Sequence, residues 1–70
     1  MDFYYFNKEV DSNGFHEVHN SSCAYLPDKN NRLYIGLFNS CKDAIDIAKC
    51  IYPNEKFYGC HECCGASYSK

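Results

Sequence analysis

Two pairs of residues with metal-binding side chains stand far apart in this sequence. Cys60 and Cys63 form a Cys-x-x-Cys pair near the carboxyl end, and His19 stands four positions before Cys23. Thiolate and imidazole donors at such spacings are typical of proteins that bind zinc in a tetrahedral site. If the fold brings the two pairs together, His19, Cys23, Cys60 and Cys63 supply the four ligands of one closed zinc site.

The Cys-x-x-Cys segment has the backbone that a metal-binding turn needs. Gly59 precedes it and Gly65 follows it, and glycine accepts the tight backbone that points N–H groups at the sulfurs. The segment could instead hold a disulfide or a redox-active dithiol. A thioredoxin-like dithiol opens a helix after a strand, however, and this one closes a short chain. Cys64, the next residue, is an alternative ligand to Cys63.

Two histidines compete for the nitrogen position of the site. Side chains alternate along a strand, so His16 and His19 face opposite sides and cannot both reach one metal. His19 is preferred because it lies nearer to Cys23, in the loop after the predicted strand, which leaves His16 as an exposed strand residue. The His-Glu-Val-His run is one residue shorter than the His-Glu-x-x-His signature of helical metalloproteases, so we do not predict a protease.

The remaining cysteines and the third histidine receive no ligand role. Cys41 lies on an apolar helix stripe, where we expect it to act as a small buried hydrophobic residue. Cys50 lies on the opposite side of the same helix, and we expect a partly exposed free thiol there. His61, inside the Cys-x-x-Cys turn, is expected to face solvent.

Strand, turn and helix patterns indicate which elements position these residues. The aromatic run that starts at Phe3 is typical of a strand, and Ser40 with Asp43 predicts a helix N-terminus. The predicted elements are strands at 3–10, 15–18 and 32–38, a turn at 11–14, a helix from Ser40 to about Tyr52, a connector at 54–59 and a loose tail at 67–70. The apolar stripe of the helix comprises Cys41, Ala44, Ile45, Ala48, Ile51 and Tyr52.

This order of elements predicts an α+β fold. We expect a small antiparallel sheet, made of the hairpin plus one strand, with one helix packed across it and a C-terminal turn held by zinc. A chain of 70 residues forms one small zinc-binding domain, residues 1–70. Because so short a chain buries a small core, it commonly needs a metal or disulfides for stability, and six cysteines agree with that need.

Charge and hydropathy disfavour two classes of partner. The formal net charge is −2 and no Lys/Arg run occurs, whereas binding to nucleic acid depends on clustered cations. No apolar run approaches the ~18 residues of a membrane span, and no signal-peptide pattern follows Met1. We therefore expect a cytoplasmic protein, in which reduced thiols bind metal rather than form disulfides.

The motif spacing resembles that of the zinc-binding domain of the methylated-DNA repair protein Ada and its stand-alone relatives. The resemblance covers roughly residues 15 to 64 and rests on His19-x-x-x-Cys23, Tyr25-Leu26, the strand end from Ile35 to Ser40, Ala44 in the helix, and Gly59-Cys60-x-x-Cys63. It implies a small α/β domain whose zinc is bound by those histidine and cysteine residues. In Ada a zinc-bound cysteine accepts a methyl group from a DNA phosphotriester; here a histidine stands where Ada has a cysteine.

The expected function follows from the closed ligand set. A site with four protein ligands and no catalytic carboxylate cluster favours a structural role over an enzymatic one. We expect a non-enzymatic zinc-binding module, a monomer with a protein partner. One alternative is a DNA-associated, Ada-like domain whose thiolate, such as that of Cys23, accepts a methyl group. Another is a secreted domain held by disulfides.

Overall fold

The computed structural model describes residues 1–65, so the tail expected at 67–70 lies outside the described residues. The elements in chain order are β1 (Asp2–Asn7), β2 (Phe15–Asn20), a 3-10 turn (Lys29–Asn31), β3 (Arg32–Phe38), α1 (Cys41–Ile51) and β4 (Lys56–Gly59). Within residues 1–65, no helix is long and apolar enough to cross a membrane.

The strands form one sheet in the order β3-β1-β2-β4, with α1 packed on one face. β1 pairs antiparallel with both β2 and β3, which confirms the predicted α+β fold of a hairpin, one further strand and a helix. The sequence did not reveal β4, which pairs parallel with β2 where we expected a connector. β4 has only four residues, of which the first is charged and the last is a glycine, so it shows little of the alternation that is typical of a strand. Its pairing partner, β2, lies about forty residues away in the sequence.

The hairpin is shorter at β1 and longer at β2 than predicted. Asp11 closes the turn, because its Oδ1 accepts hydrogen bonds from the backbone N–H groups of Asn13 (2.8 Å) and Phe15 (3.0 Å). Gly14 supplies a positive φ of 84° in the same turn. β2 continues to Asn20, so His19 lies in the strand and not in the following loop. This position fixes its side chain more firmly than a loop would.

Alternation along the strands divides the sheet into two faces. The helix side carries the buried side chains of Tyr4, Phe6, Val18 and Phe57, and the rings of Phe6 and Phe57 meet edge to face with centroids 5.0 Å apart. The opposite face carries residues that alternate with these, among them Asn7, Glu17, His19 and Tyr58. The core and the polar site therefore use opposite faces of the same strands.

The helix begins as predicted, with the Ser40 hydroxyl accepting a hydrogen bond from the Asp43 backbone N–H at 3.2 Å. The first part of the predicted stripe is buried: Cys41, Ala44, Ile45 and Ala48. The prediction was wrong for Ile51 and Tyr52, which are 55% and 39% exposed. They border an open groove shared with Leu33, so the last helical turn extends beyond the part of the sheet that it could cover.

A disulfide joins Cys41, in the first turn of α1, to Cys64, with Cα atoms 5.6 Å apart. Cys41 is buried as expected, but the expectation of an unpaired small hydrophobic residue was wrong. The disulfide occupies Cys64, which removes it as an alternative ligand to Cys63. Cys50 is an exposed free thiol, as the helical pattern predicted.

Loss of the disulfide should reduce stability. It closes a loop with a sequence separation of 23 residues, and the loop-entropy relation assigns such a loop a stabilisation of about 3 kcal/mol. We expect the double variant Cys41→Ala, Cys64→Ala to lose about that free energy of unfolding in urea titrations at fixed metal content. Cys50→Ala is the control and should match the wild type. Equal stability of the double variant and the control would show that this bond contributes nothing.

Candidate metal centre

The four predicted ligand residues meet at one end of the sheet. Because β2 and β4 run parallel, their carboxyl ends lie at the same end of the sheet. There the Cys60 backbone N–H donates a hydrogen bond to the Val18 carbonyl at 2.8 Å. His19 lies near the end of β2, and Cys60 follows β4 directly. Cys23 comes from the loop after β2, and Cys63 from the turn after β4. The strand that the sequence did not reveal is thus the element that brings the two pairs together.

The donor atoms of this group are close enough to hold one metal ion. One ligand atom from each of His19, Cys23, Cys60 and Cys63 lies within 4.8 Å of all the others. The Sγ atoms of Cys23 and Cys60 are 3.8 Å apart. Two thiolates bound at about 2.3 Å to a tetrahedral zinc ion would be separated by ~3.8 Å, so this pair already has the required spacing.

One ring nitrogen of His19 makes hydrogen bonds, and the other has no hydrogen-bond partner. Its Nε2 lies 2.9 Å from the Oδ1 of Asn7 and 3.1 Å from the Oε1 of Glu17, and both of these oxygens are acceptors. Nε2 must therefore carry the proton, which leaves a lone pair on Nδ1. Nδ1 is the one buried side-chain nitrogen or oxygen in residues 1–65 that has no hydrogen-bond partner. A bound metal would satisfy it.

Burial also sets the charge of His19. Its side chain is fully buried, and this desolvation lowers the pKa of His19, while the nearby Glu17 carboxylate acts in the opposite direction. The imidazole is consequently neutral at neutral pH, which is the form that binds metals.

Further contacts through Glu17 and Tyr58 orient the His19 side chain. The Oε2 of Glu17 accepts a hydrogen bond from the Tyr58 hydroxyl at 3.0 Å, while its Oε1 faces His19. Burial, followed by the contacts with Glu17, raises the pKa of Tyr58, so the phenol remains a donor. Sequence reasoning did not single out Asn7, Glu17 or Tyr58. The only available signal was the strand alternation that places Glu17 on the same face as His19.

Backbone N–H groups surround the sulfurs. The N–H groups of Asn20 and Tyr25 donate to the Sγ atoms of Cys63 and Cys23, each at 3.4 Å. Those of Glu62 and Cys63 point at the Sγ of Cys60. Such N–H···S contacts favour the thiolate form that a metal requires.

In the absence of a metal, burial outweighs these donors. Burial raises the pKa of Cys60, and it raises the pKa of Cys63 to about 12. These two thiols are therefore protonated at neutral pH unless a cation replaces the protons. The three sulfurs with the unpartnered His19 nitrogen form a donor set that fits a metal ion.

The alternative nitrogen donor, His16, lies outside the group. The expectation that it would be exposed was wrong, since it is buried with its ring stacked on that of Phe57. Its Nδ1 lies 2.7 Å from the Asn7 carbonyl oxygen, and its Nε2 lies 2.7 Å from a Glu55 carboxylate oxygen. Both ring nitrogens thus have partners on the helix side of the sheet. His61 is exposed, as predicted.

Comparison of the chain with family models, with curated proteins and with solved structures finds no match. The resemblance to the Ada zinc-binding domain therefore stays a prediction.

Removing the contacts that orient His19 should weaken metal binding. We expect the double variant Asn7→Ala, Glu17→Ala to bind zinc roughly 10- to 100-fold more weakly, because partners of this kind fix the tautomer and orientation of a ligand. Competition with a chromophoric chelator measures the affinity. Glu62→Ala removes an exposed carboxylate near the same ligands and serves as the control. Equal losses in the two variants would indicate a charge effect and contradict the orienting role.

Metal affinity should rise with pH. The three thiols must lose protons to bind, and burial raises the pKa of both Cys60 and Cys63, so protons compete with the metal at neutral pH. The lowered pKa of His19 means that this residue releases no proton there. Titration calorimetry at pH 7 in buffers of different ionisation enthalpy should report about three protons released per zinc. Release of one proton or none would contradict binding by three thiols.

Proposed function

We propose that this chain is a small structural zinc-binding domain whose zinc is held by His19, Cys23, Cys60 and Cys63. The observation that carries the proposal is the convergence of one donor atom from each of the four residues within 4.8 Å, at a histidine whose buried Nδ1 has no hydrogen-bond partner. An unpartnered buried polar atom costs about 1–3 kcal/mol, so such an arrangement persists when a ligand completes it.

The chemistry of the donor set favours zinc over other common ions. Thiolate ligands select soft or borderline metals, and three sulfurs with one imidazole are a usual ligand set of structural zinc. Calcium and magnesium prefer oxygen ligands, and none of the four residues supplies one.

A structural role is supported by the number and origin of the ligands. Four protein donors complete a tetrahedron and leave no position for a substrate or a reactive water. The ligands come from the end of β2, the loop after it and the turn after β4, so a bound zinc would join the amino- and carboxyl-terminal halves of the chain. Binding free energies of about 10–16 kcal/mol for structural zinc are comparable with the whole stability of a small domain.

The biological task that fits such a domain best is contact with another protein chain. The net charge of −2 opposes binding to nucleic acid, and the domain exposes aromatic and aliphatic side chains on the sheet, such as Phe3, Tyr34 and Leu37. Aromatic residues are enriched in protein interfaces.

Alkylation with iodoacetamide, followed by intact-mass measurement, tests the proposal. In the native zinc-loaded protein, we expect one modified thiol, that of exposed Cys50. After unfolding with chelator present, four thiols should react: Cys23, Cys50, Cys60 and Cys63. Native mass spectrometry should show one zinc per chain, and chelation should abolish the folded circular dichroism spectrum because metal binding stabilises the fold.

Two results would contradict the structural zinc site. One is a native mass spectrum that shows the metal-free mass, together with four thiols that react with iodoacetamide at equal rates. The other is a domain whose thermal unfolding is unchanged by chelator, since a zinc ion that holds the fold together must affect it. If no thiol reacted after unfolding, all cysteines would be in disulfides, and the chain would instead be the alternative domain that is held by disulfides.

A further inference from the structure

The turn after β4 contains cysteine in two oxidation states. Cys64 forms a disulfide with Cys41, whereas Cys60 and Cys63 are free thiols. Disulfides form and persist where thiols meet oxidants. A chain that acquires its disulfide under such conditions exposes the sulfurs of the candidate metal centre to the same oxidants. The site therefore has to be considered as a target of oxidation as well as a metal ligand set.

Cys23 differs from the other two cysteines of the site in its surroundings. Cys60 is buried, and Cys63 packs against the hydrophobic core. Cys23 is partly exposed and lies in the loop after β2. Its neighbours on both sides, Ser22 and Ala24, are exposed. A small oxidant that arrives from solvent therefore reaches the sulfur of Cys23 first.

Cys60 lies in position to trap an oxidised Cys23. Their Sγ atoms are 3.8 Å apart and a disulfide requires about 2.05 Å, so the two sulfurs must approach by less than about 2 Å. Cys60 is fixed at the end of β4 by its backbone hydrogen bond to the Val18 carbonyl. Cys23 lies outside any strand or helix, so its loop can supply the movement.

We propose that Cys23 is an oxidation site, at which a peroxide converts the candidate metal centre into a Cys23–Cys60 disulfide and releases the metal. This inference rests on the proposed zinc-binding function and adds its regulation. A cysteine bound to zinc is a thiolate, which is the nucleophilic form of the side chain. Hydrogen peroxide is smaller than iodoacetamide, so a partly exposed sulfur can react with the first reagent and resist the second.

The reaction balances in two steps. The Cys23 thiolate attacks one oxygen of hydrogen peroxide, the O–O bond breaks, and a sulfenic acid and a hydroxide ion form. The Cys60 thiolate then attacks the sulfenic sulfur, so the S–S bond forms, the S–O bond breaks and a second hydroxide leaves. The sulfurs lose two electrons to the peroxide, and protons from solvent convert both hydroxides to water. His19 and Cys63 are then the only remaining ligands, Cys63 takes up a proton, and the metal is released.

The oxidised form keeps the connection that the metal makes. The new disulfide joins the loop after β2 to the turn after β4, which are segments that the zinc ligands also join. A cross-link between distant segments stabilises a fold because it restricts the unfolded chain. Oxidation should therefore release zinc and leave a folded circular dichroism spectrum, whereas chelation releases zinc and abolishes that spectrum.

Addition of a few molar equivalents of hydrogen peroxide to the zinc-loaded full chain tests the proposal. A chromophoric chelator that removes no zinc before peroxide is added reports the released metal. We expect one zinc released per chain, and peptide mapping without reductant should find a peptide pair that joins Cys23 to Cys60. Cys50→Ala is the control: it removes the exposed thiol outside the site, which competes for peroxide, and should release zinc at least as fast as the wild type. Its chain mass should fall by two hydrogen atoms.

Cys23→His tests the role of the accessible sulfur. This variant keeps four ligands as a Cys₂His₂ set, which also binds zinc. We expect it to release zinc at least about tenfold more slowly than Cys50→Ala under peroxide, because it lacks the thiolate that the oxidant reaches first. If Cys23→His does not bind zinc, the sulfenic-acid reagent dimedone applies the test to Cys50→Ala, where the label should appear on Cys23.

The outcomes separate this proposal from the zinc site itself. A metal-free native mass before peroxide is added overturns both proposals. A zinc-loaded mass that survives peroxide overturns the oxidation site alone. The same conclusion follows from a Cys60–Cys63 disulfide, from dimedone on Cys60 or Cys63, or from equal release rates in Cys50→Ala and Cys23→His.

Discussion

The parallel pairing of β2 with β4 is the constraint on which the candidate site depends. Antiparallel strands joined by a tight turn place consecutive parts of the chain side by side, but residues 19 and 60 are far apart in sequence. Parallel pairing places the carboxyl ends of both strands at one end of the sheet, with Val18 opposite Gly59. The segments that follow these two strands supply the cysteine sulfurs. A shift of one residue in this register would turn the side chains of β4 to the opposite face and move Cys60 away from His19.

The turn after β4 is held from several directions. The Cys41–Cys64 disulfide joins it to the first turn of the helix, and the Cys64 N–H donates to the Cys60 carbonyl within the turn itself at 2.8 Å. The thiols of Cys60 and Cys63 lie within 4.8 Å of ligand atoms of His19 and Cys23. A four-residue strand with one neighbour would be a weak anchor by itself. The disulfide at its end compensates for the short strand and the small core of a 70-residue chain.

Local chemistry made much of this arrangement predictable from sequence. The Ser40 cap, the Asp11–Gly14 turn and the strand at 32–38 are local signals, and the structure contains all three. The proximity of His19, Cys23, Cys60 and Cys63 was predictable because few residue types can act as soft ligands. β4, the disulfide partner of Cys41 and the Asn7–Glu17–Tyr58 contacts depend on which distant segments meet. Periodicity carries no information about such pairings.

A disulfide beside two thiols raises the question of why the sulfurs do not exchange partners. Exchange proceeds through attack by a thiolate, and Cys63 is the immediate neighbour of disulfide-bonded Cys64. Burial raises the pKa of Cys60 and Cys63, so in the metal-free protein these sulfurs are held as unreactive thiols. A bound zinc would deprotonate them but would engage the resulting lone pairs. Cys60 and Cys63 thus carry little free thiolate in either state, which allows a disulfide and a candidate metal site to lie a single residue apart.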